Sequence, residues 1–339
     1  MLIEKNIITS KICGNLKNIE FFIDSLNNSN DSRAWILEGP KGVGKAALIK
    51  LISSIILNIS KNPLLSNNET LLHPDLFILE KVDDKKNIPV DQIRKLRNFF
   101  SKTSFGDIAR IAIIDSVNDL NKYGHNAILK IIEEPPQNSF IFIVNHLTTI
   151  IPATIKSRCK TFKFRELTQL EVSVFLADKI NFEDKALLEA YSLLSNGSIG
   201  NAIDFFNNNA IELYINLCNY FKDLRSFDDK KANAFINSIN MHKSKNNLIL
   251  IFFKLLEYFI NKVIKTKVFI KQNYCDDNEE LAIKYFSEAI SLNNLFELKD
   301  NITSYYNNFY LLNTDLHSTL YSLLIEIHKN TLESNNATK

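Results

Sequence analysis

Apolar positions in the first 165 residues fall into short unbroken runs separated by longer periodic stretches, which predicts strands set between helices. The runs, rich in β-branched and aromatic residues, lie at 35–38, 76–80, 111–115, 140–145 and 161–164. Helical patterns occupy 45–59, 91–102 and 121–134. In the second of these, Ile93, Leu96 and Phe100 share one face of a 3.6-residue period. The third runs into Pro135-Pro136, which removes two backbone donors and stops the helix. Strands alternating with helices imply a mainly parallel sheet covered on both faces, with ligands at the carboxyl ends of its strands.

Beyond about residue 165 the strand signal disappears. A helical segment covers 168–206, broken at Ser195-Asn196-Gly197, and long amphipathic helices follow from about 210 to 332. No internal repeat is visible. The expected division is an α/β core over 1–165, a small helical module over 166–208, a helical domain over 209–332 and a frayed polar tail over 333–339.

The balance of 45% hydrophobic and 23% charged residues is that of an ordinary globular chain. The longest apolar run, Leu248 to Phe253, is far below the roughly 18 residues that a membrane-spanning helix needs, so no membrane contact is expected. The N-terminus has no apolar stretch of the signal-peptide kind, and the expected location is cytoplasmic. Cys13, Cys159, Cys218 and Cys275 form no C-x-x-C pair, so reduced, mostly buried thiols are expected. With a net charge of +2, any contact with nucleic acid must come from local charge. Arg94, Lys95 and Arg97 form one short basic stretch, read either as a solvated helix face or as a contact to a DNA backbone.

The chemistry-bearing motif is Gly39-Pro40-Lys41-Gly42-Val43-Gly44-Lys45-Ala46, the G-x-x-x-x-G-K frame of a phosphate-binding loop between a strand and a helix. Glycines let backbone N–H groups converge on phosphate oxygens, the helix N-terminus adds positive partial charge, and Lys45 reaches the terminal phosphates. A hydrolysing loop carries Ser or Thr at the eighth position to hold Mg²⁺. Ala46 cannot do that. The run Ile111-Ala112-Ile113-Ile114-Asp115 ends in the acid of a Walker B strand, but Ser116 follows it where hydrolysing relatives carry a Glu. A serine hydroxyl is too weak a base for that task at neutral pH.

Residues 88–159 carry a specific resemblance. The helix V-D-Q-I-R, the strand ending I-I-D, the helix N-A-I-L-K-I-I-E-E-P-P, a strand ending at Asn145 and the turn I-P-A-T-I-K-S-R-C together resemble the clamp-loader family of bacterial DNA polymerase III, and within it the delta-prime type. His73-Pro74-Asp75 and the L-L-N-T-D-L-H of 311–317 fit the same family. The resemblance implies an AAA+ P-loop core with a five-stranded parallel sheet (1–165), a helical lid (166–208) and a helical collar domain (209–332) in a five-subunit ring. It implies Arg158, of the S-R-C motif, as an arginine finger in a neighbouring subunit's ATP site. It places Gly39, Gly42, Gly44, Lys45, Ala46, Asp115 and Asn145 around an ATP or ADP pocket that is weak or lacks ordinary Mg²⁺ placement.

In Gly197-Ser198-Ile199-Gly200-Asn201-Ala202, Gly200 stands where the family's motor subunits carry an Arg that touches the γ-phosphate in cis. Many relatives carry a four-cysteine zinc module between the P-loop helix and the second strand. Residues 60–73 contain no cysteine, so no zinc is expected and His73 reads as a structural residue. Glu133 and Glu134 read as a helix end facing solvent or a subunit interface. The implied partners are the gamma/tau motor subunits, the delta subunit, the sliding clamp indirectly, and primer-template DNA through the complex. A self-sufficient motor-type ATPase and a purely structural adaptor are the competing readings.

Overall fold

The computed structural model describes residues 3–28, 33–59, 72–81, 88–101, 109–147, 150–180, 184–222, 224, 226–240, 245–312 and 314–336. They divide into two compact units, Met1–Phe175 with Gly197–Gly200, and Leu176–Asn196 with Asn201–Lys339.

In the first unit the elements run α1 (Lys5–Thr9), α2 (Leu16–Asn27), β1 (Ala34–Glu38), α3 (Lys45–Ile56), β2 (Leu76–Glu80), α4 (Val90–Phe100), β3 (Arg110–Asp115), α5 (Lys122–Glu133), β4 (Ser139–Asn145), α6 (Ala153–Lys156) and β5 (Lys160–Lys163). The strands form one sheet in the order β2-β3-β4-β1-β5, every neighbouring pair parallel. Alternate residues of each strand enter separate apolar clusters, because successive side chains point to opposite faces. Trp35, Leu37, Ile111, Ile113, Phe142 and Val144 pack with α1, α2 and α3 on one face. Ile36, Ala112, Ile114, Ile141 and Ile143 pack with α4, α5 and α6 on the other. The fold class is therefore the expected α/β one, a five-stranded parallel sheet covered by helices on both faces, with helices after it.

Three local differences from the sequence reading have clear causes. The helix expected to reach residue 59 ends at Ile56, because Asn58 turns left-handed (φ 52°). Ile59 N then donates to Ser54 O at 2.8 Å and Asn58 N to Ile55 O at 3.2 Å, a Schellman stop. The turn expected at 151–159 contains a one-turn helix, α6, started by Pro152. Helix α2 received no prediction, although Ile19, Phe22, Ile23 and Leu26 follow the i, i+3, i+4, i+7 pattern and are all buried.

Helices α7 (Gln169–Ile180), α8 (Lys185–Leu194) and α9 (Ile199–Asn207) follow, and the division between the units falls within α7 and α9. The rest of the second unit comprises α10 (Ala210–Lys222), α11 (Asp229–Asn240), α12 (Lys245–Lys267), α13 (Asp277–Ala289), α14 (Leu292–Leu312) and α15 (Leu316–Asn336). Its centre is the contact of α10, α12 and α13, where Phe221, Phe259 and Phe286 meet with ring centroids 4.9–5.2 Å apart. Among the described residues no helix is long and apolar enough to cross a membrane. Helix α15 continues into the segment expected to fray, as far as Asn336, and 337–339 lie outside the described residues.

Candidate functional site

The carboxyl ends of β3, β4 and β1, neighbours in the sheet, bring Asp115, Asn145 and the phosphate loop to one edge of the first unit. Gly39 N donates to Asn145 O at 3.1 Å, tying the start of the loop to the end of β4. The loop needs glycine at two positions for separate reasons. Gly44 enters α3 with φ 95°, and a Cβ there would meet nothing within 4 Å, so the loop is open at this point. Gly42 has φ 84°, and a Cβ there would collide with Ser198 Oγ. Gly200 N also donates to Gly42 O at 3.1 Å, so the 197–200 segment lies directly on the loop.

Lys45 is 3% exposed and folds back on the loop, donating to Gly39 O at 2.7 Å and to Pro40 O. Burial lowers its ammonium to about 8, against the opposing pull of Asp115. Burial likewise raises the Asp115 carboxyl above its ordinary range, with Lys50 acting in the opposite direction. His146 joins them, Nε2 lying 3.8 Å from Asp115 Oδ1. Burial, then Lys45 and Lys41, push its imidazole down to about 4, so it is neutral at pH 7.

Ser116, which the sequence reading compared with a Glu of hydrolysing relatives, is 1% exposed and already used. Its hydroxyl donates to Asp119 Oδ2 at 2.7 Å in a capping box on the short 3₁₀ turn Val117–Asp119. Asn145 is buried too. Its Nδ2 donates to Glu38 Oε1 at 3.0 Å and its Oδ1 accepts from Leu147 N at 3.1 Å, leaving one N–H of the amide for another partner. Glu38 Oε1 is also 3.4 Å from Lys156 Nζ, which links the end of β1 to α6.

The loop, Lys45 and the open face at Gly44 suit a polyphosphate. The set does not suit ordinary Mg²⁺ placement, because the Ala46 methyl offers no lone pair and packs against the core beneath α3.

Arg158 stands apart from this cluster. It follows α6, about 40% exposed, with Nε 2.9 Å from Glu133 Oε1. Its Nη1 donates to Thr154 O at 3.0 Å and to Ser157 Oγ at 3.3 Å. The neighbouring Cys159 thiol is pushed up to about 12 by burial, which keeps it unreactive. All four cysteines are free thiols, and burial raises each of them.

His73 Nδ1 accepts from Asp75 N at 3.1 Å, the structural role expected of it. In the basic stretch, Arg94 pairs with Asp91 at 3.2 Å and Arg97 Nη2 donates to Ala127 O at 3.2 Å, while Lys95 is exposed. Among the described residues no group of three His, Cys, Asp or Glu side chains could hold a metal ion. Most of the segment read as lacking a zinc module, 60–71, lies outside them.

Sequence reasoning missed Glu38, His146 and the link from Glu133 to Arg158. Glu38 was readable as the residue directly before the loop. His146 carried no signal, because its closeness to Asp115 exists only through strand pairing.

A family profile described as DNA polymerase III, delta subunit, matches residues 14–168. The chain is 30% identical over 139 residues to the DNA polymerase III subunit delta' of Pseudomonas aeruginosa, covering 38% of this chain and 42% of that one. It is 28% identical over 232 residues to the delta' subunit of Buchnera aphidicola subsp. Baizongia pistaciae, covering 63% and 68%. It is also 29% identical over 184 residues to the DNA polymerase III subunit gamma of Buchnera aphidicola subsp. Schizaphis graminum, covering 50% of each. The chain spans about half the length of the first curated relatives it matches.

Proposed function

We propose that the chain is a clamp-loader family protein of DNA polymerase III and, within that family, a delta-prime-type subunit that supports hydrolysis in a neighbour without hydrolysing ATP itself. Arg158 is the arginine finger in this reading. A planar, permanently charged guanidinium entering the neighbour's site stabilises charge on the transferred phosphoryl group. The 166–208 segment serves as the lid and 209–332 as the collar that joins the ring. The partners are gamma/tau-type motor subunits and a delta-type subunit, with the sliding clamp and primer-template DNA engaged through the assembly in the cytoplasm.

The observation that carries the proposal is an asymmetry within the first unit. The exposed Arg158 makes no hydrogen bond through Nη2 among the described residues, whereas the residue in the catalytic-base position, Ser116, is buried and bonded to Asp119. Ala46 and Gly200 add to the asymmetry, since neither can hold a metal or touch a phosphate with a charged group. The matches to gamma subunits favour a second reading, a self-sufficient motor-type ATPase. In that reading the chain turns over ATP alone.

Two measurements on the purified chain separate them. Mg²⁺-ATP hydrolysis by the chain alone stays at the buffer background, and steady turnover would overturn the proposal in favour of the motor reading. ADP or ATP binds about as well in EDTA as in Mg²⁺, and Lys45→Ala weakens binding in both. Tight binding that requires Mg²⁺ would show that Ala46 does not matter as argued. Ala46→Thr, which restores the hydroxyl, is expected to introduce a dependence on Mg²⁺.

A further inference from the structure

The Arg158 side chain is held on two sides by parts of the fold that have no contact with phosphate in the proposed mechanism. Arginine is rich in rotamers, and a finger that samples many of them must be ordered as it acts unless something orders it beforehand. On one side, Nη1 donates to Thr154 O and Ser157 Oγ, both from α6 and its cap. On the other, Nε pairs with Glu133 Oε1 at 2.9 Å.

Glu133 is the last residue of α5, followed by the C-cap Glu134, whose N–H bonds to Lys130 O, and then by Pro135-Pro136, which stop the helix. The two helices share one apolar cluster. Ile155 of α6 is fully buried in it with Ile128, Ile131 and Ile132 of α5, which fixes the spacing between the carboxylate and the arginine backbone. Of the five guanidinium N–H groups, the two on Nη2 make no hydrogen bond among the described residues.

We propose that Glu133 is a positioning residue for Arg158: by holding Nε it sets the guanidinium so that Nη2 is the end presented to a neighbouring subunit's phosphate. The inference rests on the arginine-finger reading above. Both partners are about 40% exposed, and an exposed pair contributes little to stability, so removing Glu133 leaves the fold intact. Its effect is on orientation, and small displacements of a catalytic group cost up to about 10²-fold in rate.

The test uses the loader assembled from this chain and its cognate subunits, with DNA-stimulated ATP hydrolysis as the readout and size-exclusion chromatography to confirm assembly. Wild type, Glu133→Ala, Glu133→Gln, Arg158→Ala and the double variant Glu133→Ala/Arg158→Ala are compared. Glu133→Ala is expected to lower kcat about 10- to 10²-fold with little change in KM for ATP. Glu133→Gln, which keeps an oxygen for Nε, recovers most of that loss. The double variant is no slower than Arg158→Ala, because Glu133 acts only through the arginine.

If Glu133→Ala matches or exceeds wild type while Arg158→Ala is slow, this inference is overturned and the finger survives. A double variant slower than Arg158→Ala overturns it as well, by showing that Glu133 acts independently. An unchanged rate for Arg158→Ala overturns the finger reading and this inference with it.

Discussion

Arg158→Ala in this chain alone is expected to lower DNA-stimulated ATP hydrolysis, at the site that the proposed finger would serve in the assembled loader, by about 10³-fold or more, the range of arginine fingers elsewhere. The effect is large because phosphoryl transfer leaves the protein little to do except position groups and stabilise charge. Nothing else in the chain's S-R-C turn can replace the guanidinium. Ser157 is neutral, and Cys159 is held in its thiol form by burial. Arg158→Lys is expected to recover only a small part of the loss, because an ammonium is a strongly hydrated point charge without the planar fork. The side chain is half in solvent and its ion pair is of the weak exposed kind, so the variant keeps the wild-type unfolding midpoint. Total hydrolysis by the ring includes sites that other subunits complete, so single-turnover measurements resolve the loss best. A rate equal to wild type would leave Arg158 as a surface residue and the chain as an adaptor.

The largest expected effect on stability lies in the second unit. Glu279 is fully buried at the start of α13, and each of its oxygens is used. Oε1 accepts from Lys262 Nζ at 2.6 Å and from Tyr214 Oη at 2.5 Å, while Oε2 accepts from Cys275 N at 2.6 Å. Lys262, 4% exposed, also donates to Asn273 O at 2.7 Å and lies against the rings of Tyr258 and Tyr274. One carboxylate therefore joins α10, α12 and α13 at the point where they meet.

Glu279→Ala leaves a buried ammonium, a tyrosine hydroxyl and a backbone N–H without their acceptor. Breaking a buried pair in this way costs about 3–5 kcal/mol. Hydrogen-exchange protection of the α10, α12 and α13 amides should fall by about 10²–10⁴-fold, at roughly 1.4 kcal/mol per factor of ten. The double variant Lys262→Met/Glu279→Met loses less than the sum of the two single changes, because neither leaves a charge stranded. A loss below about 1 kcal/mol for Glu279→Ala would mean that water reaches the site and solvates the ammonium.

These two predictions differ in how far the sequence led to them. Arg158 was readable as a candidate through the family resemblance that its S-R-C motif carries. The phosphate loop was readable from its residue types and spacing, whereas the departures at Ala46, Ser116 and Gly200 were read against the pattern of hydrolysing relatives. The strands were readable almost to the residue, because a parallel sheet covered on both faces demands unbroken apolar runs, and the runs at 111–115 and 140–145 lie within β3 and β4. Periodicity also marked the buried face of α4.

What the linear chain could not reveal is which polar groups meet across elements. The Glu279–Lys262–Tyr214 cluster joins residues 17 and 65 positions apart. In the sequence each is one polar residue within an amphipathic helix. Glu133 read as part of a helix end facing solvent or a subunit interface, and only the packing of α6 on α5 set Arg158 beside it. His146 and Asp115 approach each other because β3 and β4 are neighbours, and Glu38 reaches Asn145 because β1 and β4 pair. Local composition and period determined the elements and the loop, because those follow from bond geometry and side-chain chemistry along the chain. Tertiary structure alone decided the partners of each buried or half-buried charge, because a charge removed from water is held by whichever donor or acceptor the packing brings within about 3 Å.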